Sequence, residues 1–428
     1  MSLEKFEGKK IYAPNFPQNL KSKIDMTSAT SIPIYRGENK PVSIPDRVTA
    51  QTSLSDLNLN WTEKDLPEKE RTKHVHRLHP YLGKFIPQLV EVFLRKFFDR
   101  GQTVLDPFAG SGTTLVQANE LGIRAIGYDV SAFNVSLMRA KTKHYDRDRV
   151  RKEVFDILNK TERSTQTGNG QLSLWNANTP TKPRESNPYL ESWFAPQARE
   201  ELLTYRDLIS NYEDRDILNV ILSRSARSAR LTPHFDLDFP KTPQTEPYWC
   251  YKHNRTCKPT ETAFQFLKRY SLDTVTRLEA FENYRTDATV TIDRADSRTV
   301  RIPPVDGVIT SPPYVGLIDY HEQHRYAYEL LQLDDRRDLE IGAAERGSSK
   351  KAQRQYQEAI AEVFSNASHS VRSGGYLIVV AADKHGLYDE IARMCQFNVE
   401  AVVQRQVNRR TGRRSSDFYE SIFIWRKP

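Results

Sequence analysis

Long apolar runs are missing from this chain. No stretch reaches the roughly 18 residues that a membrane-spanning helix requires, so no membrane partner is expected. The opening residues Met1-Ser2-Leu3-Glu4-Lys5 also lack the apolar core of a secretory signal, and the expected location is the cytoplasm. Cysteine is scarce. Cys250, Cys257 and Cys395 are too few and too irregularly spaced for a disulfide framework, which suits a reducing compartment. What is present is a hydrophobic content of 38% and a charged content of 28%, enough for a real core beneath a strongly hydrated surface. Lys and Arg number 63 against 55 Asp and Glu, and the net charge of +8 favours a polyanionic partner once other features point to one. A length of 428 residues predicts a large domain with an insertion, or two domains.

Residues 1–60 are rich in Pro, Ser, Thr, Asn and Lys and carry no sustained period, so they are expected to form an extended N-terminal arm. From Trp61 the character changes. His74, His76 and His79 lie close together, but no second set of acidic or thiol ligands accompanies them; a polar surface or pocket rim is expected there rather than a metal. Residues 88–98 then read as an amphipathic helix.

Gly101-Gln102-Thr103-Val104-Leu105-Asp106-Pro107-Phe108-Ala109-Gly110-Ser111-Gly112-Thr113-Thr114 reads as a short strand ending in a carboxylate, a small-residue turn, and a helix that the Thr pair can cap. Gly110 and Gly112 allow backbone to approach a ligand closely, as in the first strand-to-helix turn of a doubly wound nucleotide site. The lysine that grips phosphate in a phosphate loop is missing, and Asp106 would repel phosphate. A second strand, residues 124–129, ends in Asp129, where such folds accept hydrogen bonds from ribose hydroxyls. Paired strand-end carboxylates predict a nucleoside-type cofactor with a cationic end.

A third strand, Val305-Asp306-Gly307-Val308-Ile309, runs into Thr310-Ser311-Pro312-Pro313-Tyr314. Consecutive prolines cannot continue a strand, so the chain leaves the sheet in a fixed turn with free carbonyls. Beside them stand a hydroxyl and a flat ring, a combination suited to a planar group bearing an amine. The plain alternative is a packing turn.

Together, residues 106–113 and the tetrad Ser311, Pro312, Pro313 and Tyr314 resemble the cofactor and catalytic motifs of amino-directed DNA methyltransferases that use S-adenosylmethionine. His79-Pro80-Tyr81-Leu82-Gly83-Lys84-Phe85 is similar to the segment that this family places before its glycine loop, over the methionine end of the cofactor. The resemblance covers residues 70–145 and 285–428. It implies an α/β fold with a doubly wound, seven-stranded methyltransferase sheet. It implies cofactor contacts from Tyr81, Lys84, Phe85, Asp106, Pro107, Phe108, Gly110, Gly112, Thr113 and Asp129, and an adenine contact from Asp296, with Asp293 as the alternative. Ser-Pro-Pro-Tyr is typical of enzymes acting on the 4-amino group of cytosine, whereas adenine enzymes more often begin with Asp. An adenine-N6 enzyme, an RNA methyltransferase and a silent DNA-binding scaffold stay open as alternatives. The expected partners are double-stranded DNA and a companion restriction endonuclease.

Between the two halves of this catalytic domain, residues 61–145 and 286–428, lies an insertion over residues 146–285, the candidate target-recognition region. Helical periodicity returns at 189–230, where Arg224, Arg227 and Arg230 recur every third residue as an expected phosphate-contacting stripe. Residues 231–260 interleave aromatics, bases and prolines without a period. Cys250, His253 and Cys257, with His234, raise the question of zinc, but the spacing matches no standard site and no metal is expected. Near the end, Arg409, Arg410, Arg413 and Arg414 form a basic loop expected to grip phosphate.

Overall fold

The computed structural model describes residues 32–166, 186–238, 240–407 and 418–428. Its strands, in chain order, are β1 (Ile34–Tyr35), β2 (Thr103–Asp106), β3 (Arg124–Asp129), β4 (Tyr248–Cys250), β5 (Arg255–Cys257), β6 (Val290–Arg294), β7 (Val305–Thr310), β8 (Val371–Ala381), β9 (Asn398–Val407) and β10 (Phe418–Arg426). Eight of them form one sheet in the order β1-β9-β10-β8-β7-β2-β3-β6, and β4 and β5 make a separate hairpin. Neighbours in the large sheet run parallel except β10, which is antiparallel to both β8 and β9. The expected seven strands are there, and β1 adds an eighth.

Both faces of this sheet are covered, so its central strands read as nearly continuous apolar runs. In β2, Val104 joins a layer with Leu89, Phe93 and Leu115, while its neighbour Leu105 joins the opposite layer with Ile360 and Phe364. Alternation continues in β8, where Ile378 and Val380 belong to the first layer and Leu377 and Val379 to the second. The two layers are built by the helices Pro87–Phe97 and Thr113–Glu120 on one side and Lys350–Ser370 and Tyr388–Met394 on the other.

β2 and β7 lie side by side, with Val104 opposite Gly307 and Leu105 opposite Val308. From this pair the sheet extends through β3 to β6 on one side and through β8 and β10 to β9 on the other. Loops leaving the carboxyl ends of two strands at such a switch diverge and open a crevice. The glycine loop leaves β2 here, and the Ser-Pro-Pro-Tyr turn leaves β7.

Of the residues expected as an extended arm, 33–60 lie against the body more firmly than an arm implies. β1 pairs with β9, and Leu57 and Leu59 are buried in the core that holds Leu89 and Phe93. Side-chain amides secure the irregular backbone: Asn58 Nδ2 donates to Lys40 O at 2.6 Å and Asn60 Nδ2 to Arg36 O at 2.8 Å.

The insertion continues a helical layer. Its helices Arg147–Gln166, Pro196–Leu208, Arg215–Ala229 and Phe264–Glu282 share a core with Phe133 and Leu137 of the helix Ala132–Thr142. Leu202, Ile217, Val220 and Ile221 are buried in it, whereas Leu272 is exposed. No helix among the described residues is long and apolar enough to cross a membrane.

Candidate active site

Asp106 ends β2 with its carboxylate fully buried. One oxygen accepts from Thr310 Oγ1 at 2.6 Å and from the Phe108 amide at 3.1 Å, and the other accepts from Thr114 Oγ1 at 2.6 Å. Burial pushes its pKa up to about 6, with these hydrogen bonds opposing the rise. Asp106 is not among the residues lining the cleft described below. It stands behind the loop as an anchor between β2, β7 and the following helix, where the sequence had suggested direct pairing with a cationic ligand.

Beyond Asp106 the loop turns through Gly110 at φ +49° and Gly112 at φ +78°, left-handed values that favour glycine. Gly112 is the N-cap of the helix Thr113–Glu120. The Thr pair was expected to cap that helix, but Thr114 is committed to Asp106, and Thr113 Oγ1 is buried without a hydrogen-bond partner. The Gly110 amide donates to Asp129 Oδ2 at 2.9 Å, and Asp129 Oδ1 accepts from the Ser131 amide at 2.8 Å. Burial raises the Asp129 pKa above the ordinary carboxylate value.

A cleft open to solvent lies over this loop. It brings together Tyr81, Lys84, Phe85, Pro107, Phe108, Gly110, Thr113, Asp129, Asp296, Ser311 and Pro313. Gly112, Pro312 and Tyr314 do not line it. Tyr81 Oη accepts from Asn134 Nδ2 at 3.0 Å, and its ring stacks on Tyr320 at 5.7 Å. Lys84 Nζ donates to His76 O at 2.7 Å, and burial lowers its pKa to about 8. Asp296 is bound to Arg298 at 2.6 Å, while Asp293 is exposed on β6. Ser111 Oγ, Thr113 Oγ1 and Asn134 Oδ1, all on cleft residues, are buried without hydrogen-bond partners. Such orphans fit a polar ligand that supplies the missing bonds.

Ser311 faces the glycine loop across this cleft. Two residues on, the Pro313 carbonyl accepts from Tyr356 Oη at 2.9 Å, and Tyr314 Oη donates to Glu420 Oε1 at 2.9 Å. Glu420 is in turn held by Arg405 Nε at 2.6 Å. Tyr314 lines a second cleft with Leu317, Asp383, Lys384 and His385. The turn therefore stands between two openings.

Several site residues escaped the sequence reading. Asn134, Ser131 and Glu340 line the first cleft. Ser131 had a visible signal, since a Ser before a helix caps it, and its Oγ accepts from the Asn134 amide at 3.2 Å. Glu340 had none: it sits in an irregular segment and accepts from the His321 amide at 2.8 Å.

The expected basic stripe is corrected. Arg224, Arg227 and Arg230 are only 8%, 9% and 5% exposed. Arg224 pairs with Asp273 at 2.6 Å, Arg227 pairs with Asp238, and Arg230 donates to Leu237 O at 2.7 Å while covering the Tyr326 ring at 4.6 Å. Each guanidinium is thus engaged by partners inside the protein. His74, His76 and His79, expected at a surface or rim, are also buried. Arg409, Arg410, Arg413 and Arg414 lie outside the described residues.

Residues 35–139, which span β1 through the glycine loop to the helix after β3, match the DNA methylase family of N6 and N4 methyltransferases. The chain is 39% identical over 430 residues to the type II methyltransferase M.MjaII of Methanocaldococcus jannaschii, covering 84% of this chain and 81% of that one. It is 22% identical to the type II methyltransferase M.BsoBI of Geobacillus stearothermophilus, over 65% of this chain and 57% of the relative. It is 24% identical to M.MvaI of Kocuria varians, over 56% and 53%. A glycine-loop cleft with orphaned polar atoms, a Ser-Pro-Pro-Tyr turn facing it and this degree of similarity lead to one assignment: the chain belongs to the type II DNA methyltransferases of the N4/N6 family, with S-adenosylmethionine as methyl donor.

Proposed function

We propose that the enzyme methylates the exocyclic 4-amino group of a cytosine swung out of duplex DNA. The observation that carries this reading is the place of the turn: Ser311 lines the cofactor cleft, and Tyr314 lines the adjoining one. A base entering beside Tyr314 would meet the donor across Ser311.

Cytosine's amino nitrogen is a poor nucleophile because its lone pair is delocalised into the ring, and inside a duplex it is out of reach; the base must leave the stack. Ser311 Oγ accepts one amino hydrogen. The second acceptor is assigned to the Pro312 carbonyl, as the likeness of the turn to the family's catalytic motif implies, while the Pro313 carbonyl is held by Tyr356. With both hydrogens held, the nitrogen is favoured in a pyramidal form whose lone pair points across the cleft. Tyr314 supplies the ring on which the base rests, and its bond to Glu420 fixes that ring's orientation. S-adenosylmethionine, when bound, supplies an electrophilic methyl group on a sulfonium. Tyr81, Lys84, Phe85, Gly110, Thr113, Asp129 and Asp296 would hold it, with orphaned Ser111, Thr113 and Asn134 gaining partners. Positioning and exclusion of water supply the acceleration, no protein nucleophile is needed, and the one proton that the amino nitrogen sheds on methylation passes to solvent.

A hydroxyl at position 311, where adenine enzymes more often carry a carboxylate, supports cytosine over adenine. The insertion over residues 146–285 is assigned the reading of the DNA sequence, and a companion endonuclease of the same specificity is part of the proposal. The test is to incubate the protein with duplex DNA and labelled S-adenosylmethionine, then digest and identify the nucleoside. Label in N4-methylcytosine supports the reading, and label in N6-methyladenine overturns it.

A further inference from the structure

Far from the cleft in sequence, the insertion carries four side chains that the methyl-transfer chemistry does not use. His234, Cys250, His253 and Cys257 each offer one ligand atom, and these four atoms all lie within 4.8 Å of one another. Cys250 Sγ is 4.0 Å from His234 Nδ1, His253 Nδ1 is 3.4 Å from Cys257 Sγ, and the two imidazole centroids are 4.8 Å apart.

Backbone geometry explains the convergence. β4 and β5 pair antiparallel, with Tyr248 opposite Cys257 and Cys250 opposite Arg255. Cys250 lies two residues beyond Tyr248 and so shares its face, which places both thiols on the same side of the hairpin. The intervening turn is closed by the His253 amide donating to Cys250 O at 3.1 Å, with Asn254 at φ +50°, and it folds His253 back over the strands. His234 is brought in from the preceding segment by its amide, which donates to Tyr248 Oη at 3.0 Å.

Apolar burial does little to order this hairpin. Each strand has three residues, less than an isolated hairpin needs for stability. Both thiols are buried, yet neither belongs to the three hydrophobic cores. Around them the large side chains face out: Trp249 is 50% exposed and Tyr251 78%. A cross-link at the thiol–imidazole cluster accounts for a fold that apolar burial does not.

We propose that His234, Cys250, His253 and Cys257 bind one Zn²⁺ that staples the β4–β5 hairpin to the segment before it. Zn²⁺ takes four such ligands in a tetrahedron, with about 2.3 Å to sulfur and about 2.0 Å to nitrogen. Those lengths place ligand atoms roughly 3.3–3.8 Å apart, so the cluster reaches the geometry by a small contraction. Two thiolates and two neutral imidazoles balance the charge of the ion, and the two thiol protons pass to solvent on binding. All four positions are filled by protein side chains, which leaves no open position for water or substrate and makes the site structural. Because it is closed and remote from Ser311 in sequence, it does not depend on which base is methylated.

The experiment uses the full-length protein, produced with zinc supplied and dialysed extensively, and measures metal by plasma mass spectrometry. One zinc per chain is expected in the wild type, with most of it lost in His253→Ala, an exposed residue, and in Cys250→Ser. Replacing zinc by Co²⁺ is expected to give the visible bands of a tetrahedral thiolate site in the wild type, which keeps the test independent of how the variants fold. Hydrogen exchange is expected to rise at Trp249 and Tyr251 on metal removal while β2 and β7 stay protected. A wild type without zinc and without cobalt–thiolate bands, zinc retained in the Cys250→Ser Cys257→Ser double variant, or a Cys250–Cys257 disulfide in protein isolated under reducing conditions would each overturn the proposal.

Discussion

Thr310 Oγ1 donates to Asp106 Oδ1 at 2.6 Å, so the residue before the Ser-Pro-Pro-Tyr turn is bound to the residue before the glycine loop. In the proposed reaction the two loops carry different tasks, one holding the donor and the other the acceptor. Methyl transfer in line between two bound groups depends on their relative placement, and this buried, charge-assisted bond sets it.

Thr310→Val keeps the side-chain shape and removes the donor. It leaves Asp106 with an oxygen held only by the Phe108 amide, at a cost of about 2 kcal/mol in unfolding free energy. Turnover is expected to fall on the order of tenfold to a hundredfold as the loops lose their common anchor. Thr310→Ser should stay near wild type in both denaturant unfolding and initial rate. Equal behaviour of the Val and Ser variants would show that the bond carries nothing.

Asp106 also predicts a pH dependence. Burial raises its folded pKa to about 6 against an ordinary value of 3.8, so the folded state binds the proton more tightly. Its contribution to stability is full below the ordinary value and is lost as pH rises through about 6, by on the order of 3 kcal/mol across the window. Asp106→Asn cannot titrate. The stability gap between wild type and variant, measured by urea unfolding, should therefore favour wild type more at about pH 4.5 than at about pH 7. A gap independent of pH would place the carboxylate in a less buried setting.

The internal arginines give a third prediction. Arg224→Ala breaks the pair with Asp273 and should lower stability by about 2 kcal/mol. The slope of log affinity for DNA against log salt should not change, because the guanidinium is not on a phosphate. A slope reduced in magnitude by about 0.9 would put it back on the backbone of the nucleic acid.

What the sequence made legible was local. Strand-end carboxylates, left-handed glycines and consecutive prolines act within a few residues of themselves, so the glycine loop and the turn could be placed by inspection. Contacts between distant residues could not. Asp106 reads as a ligand-facing acid until Thr310, 204 positions away, turns it inward. Arg224, Arg227 and Arg230 have the spacing of an exposed stripe, and the same spacing serves a buried one once Asp273 and Asp238 arrive from other segments. Leu57 and Leu59 dock without a period to announce them, and the four ligands of the hairpin converge only because the strands bring Cys250 and Cys257 to one face.

In the proposed reaction Ser311 acts on the base and not on the cofactor. That role is tested by Ser311→Ala, with S-adenosylmethionine affinity read by calorimetry and methyl transfer to duplex DNA read in a single turnover. The prediction is an unchanged cofactor affinity and a transfer rate lower by about a hundredfold. A transfer rate equal to wild type, or a loss traced wholly to cofactor binding, would contradict it.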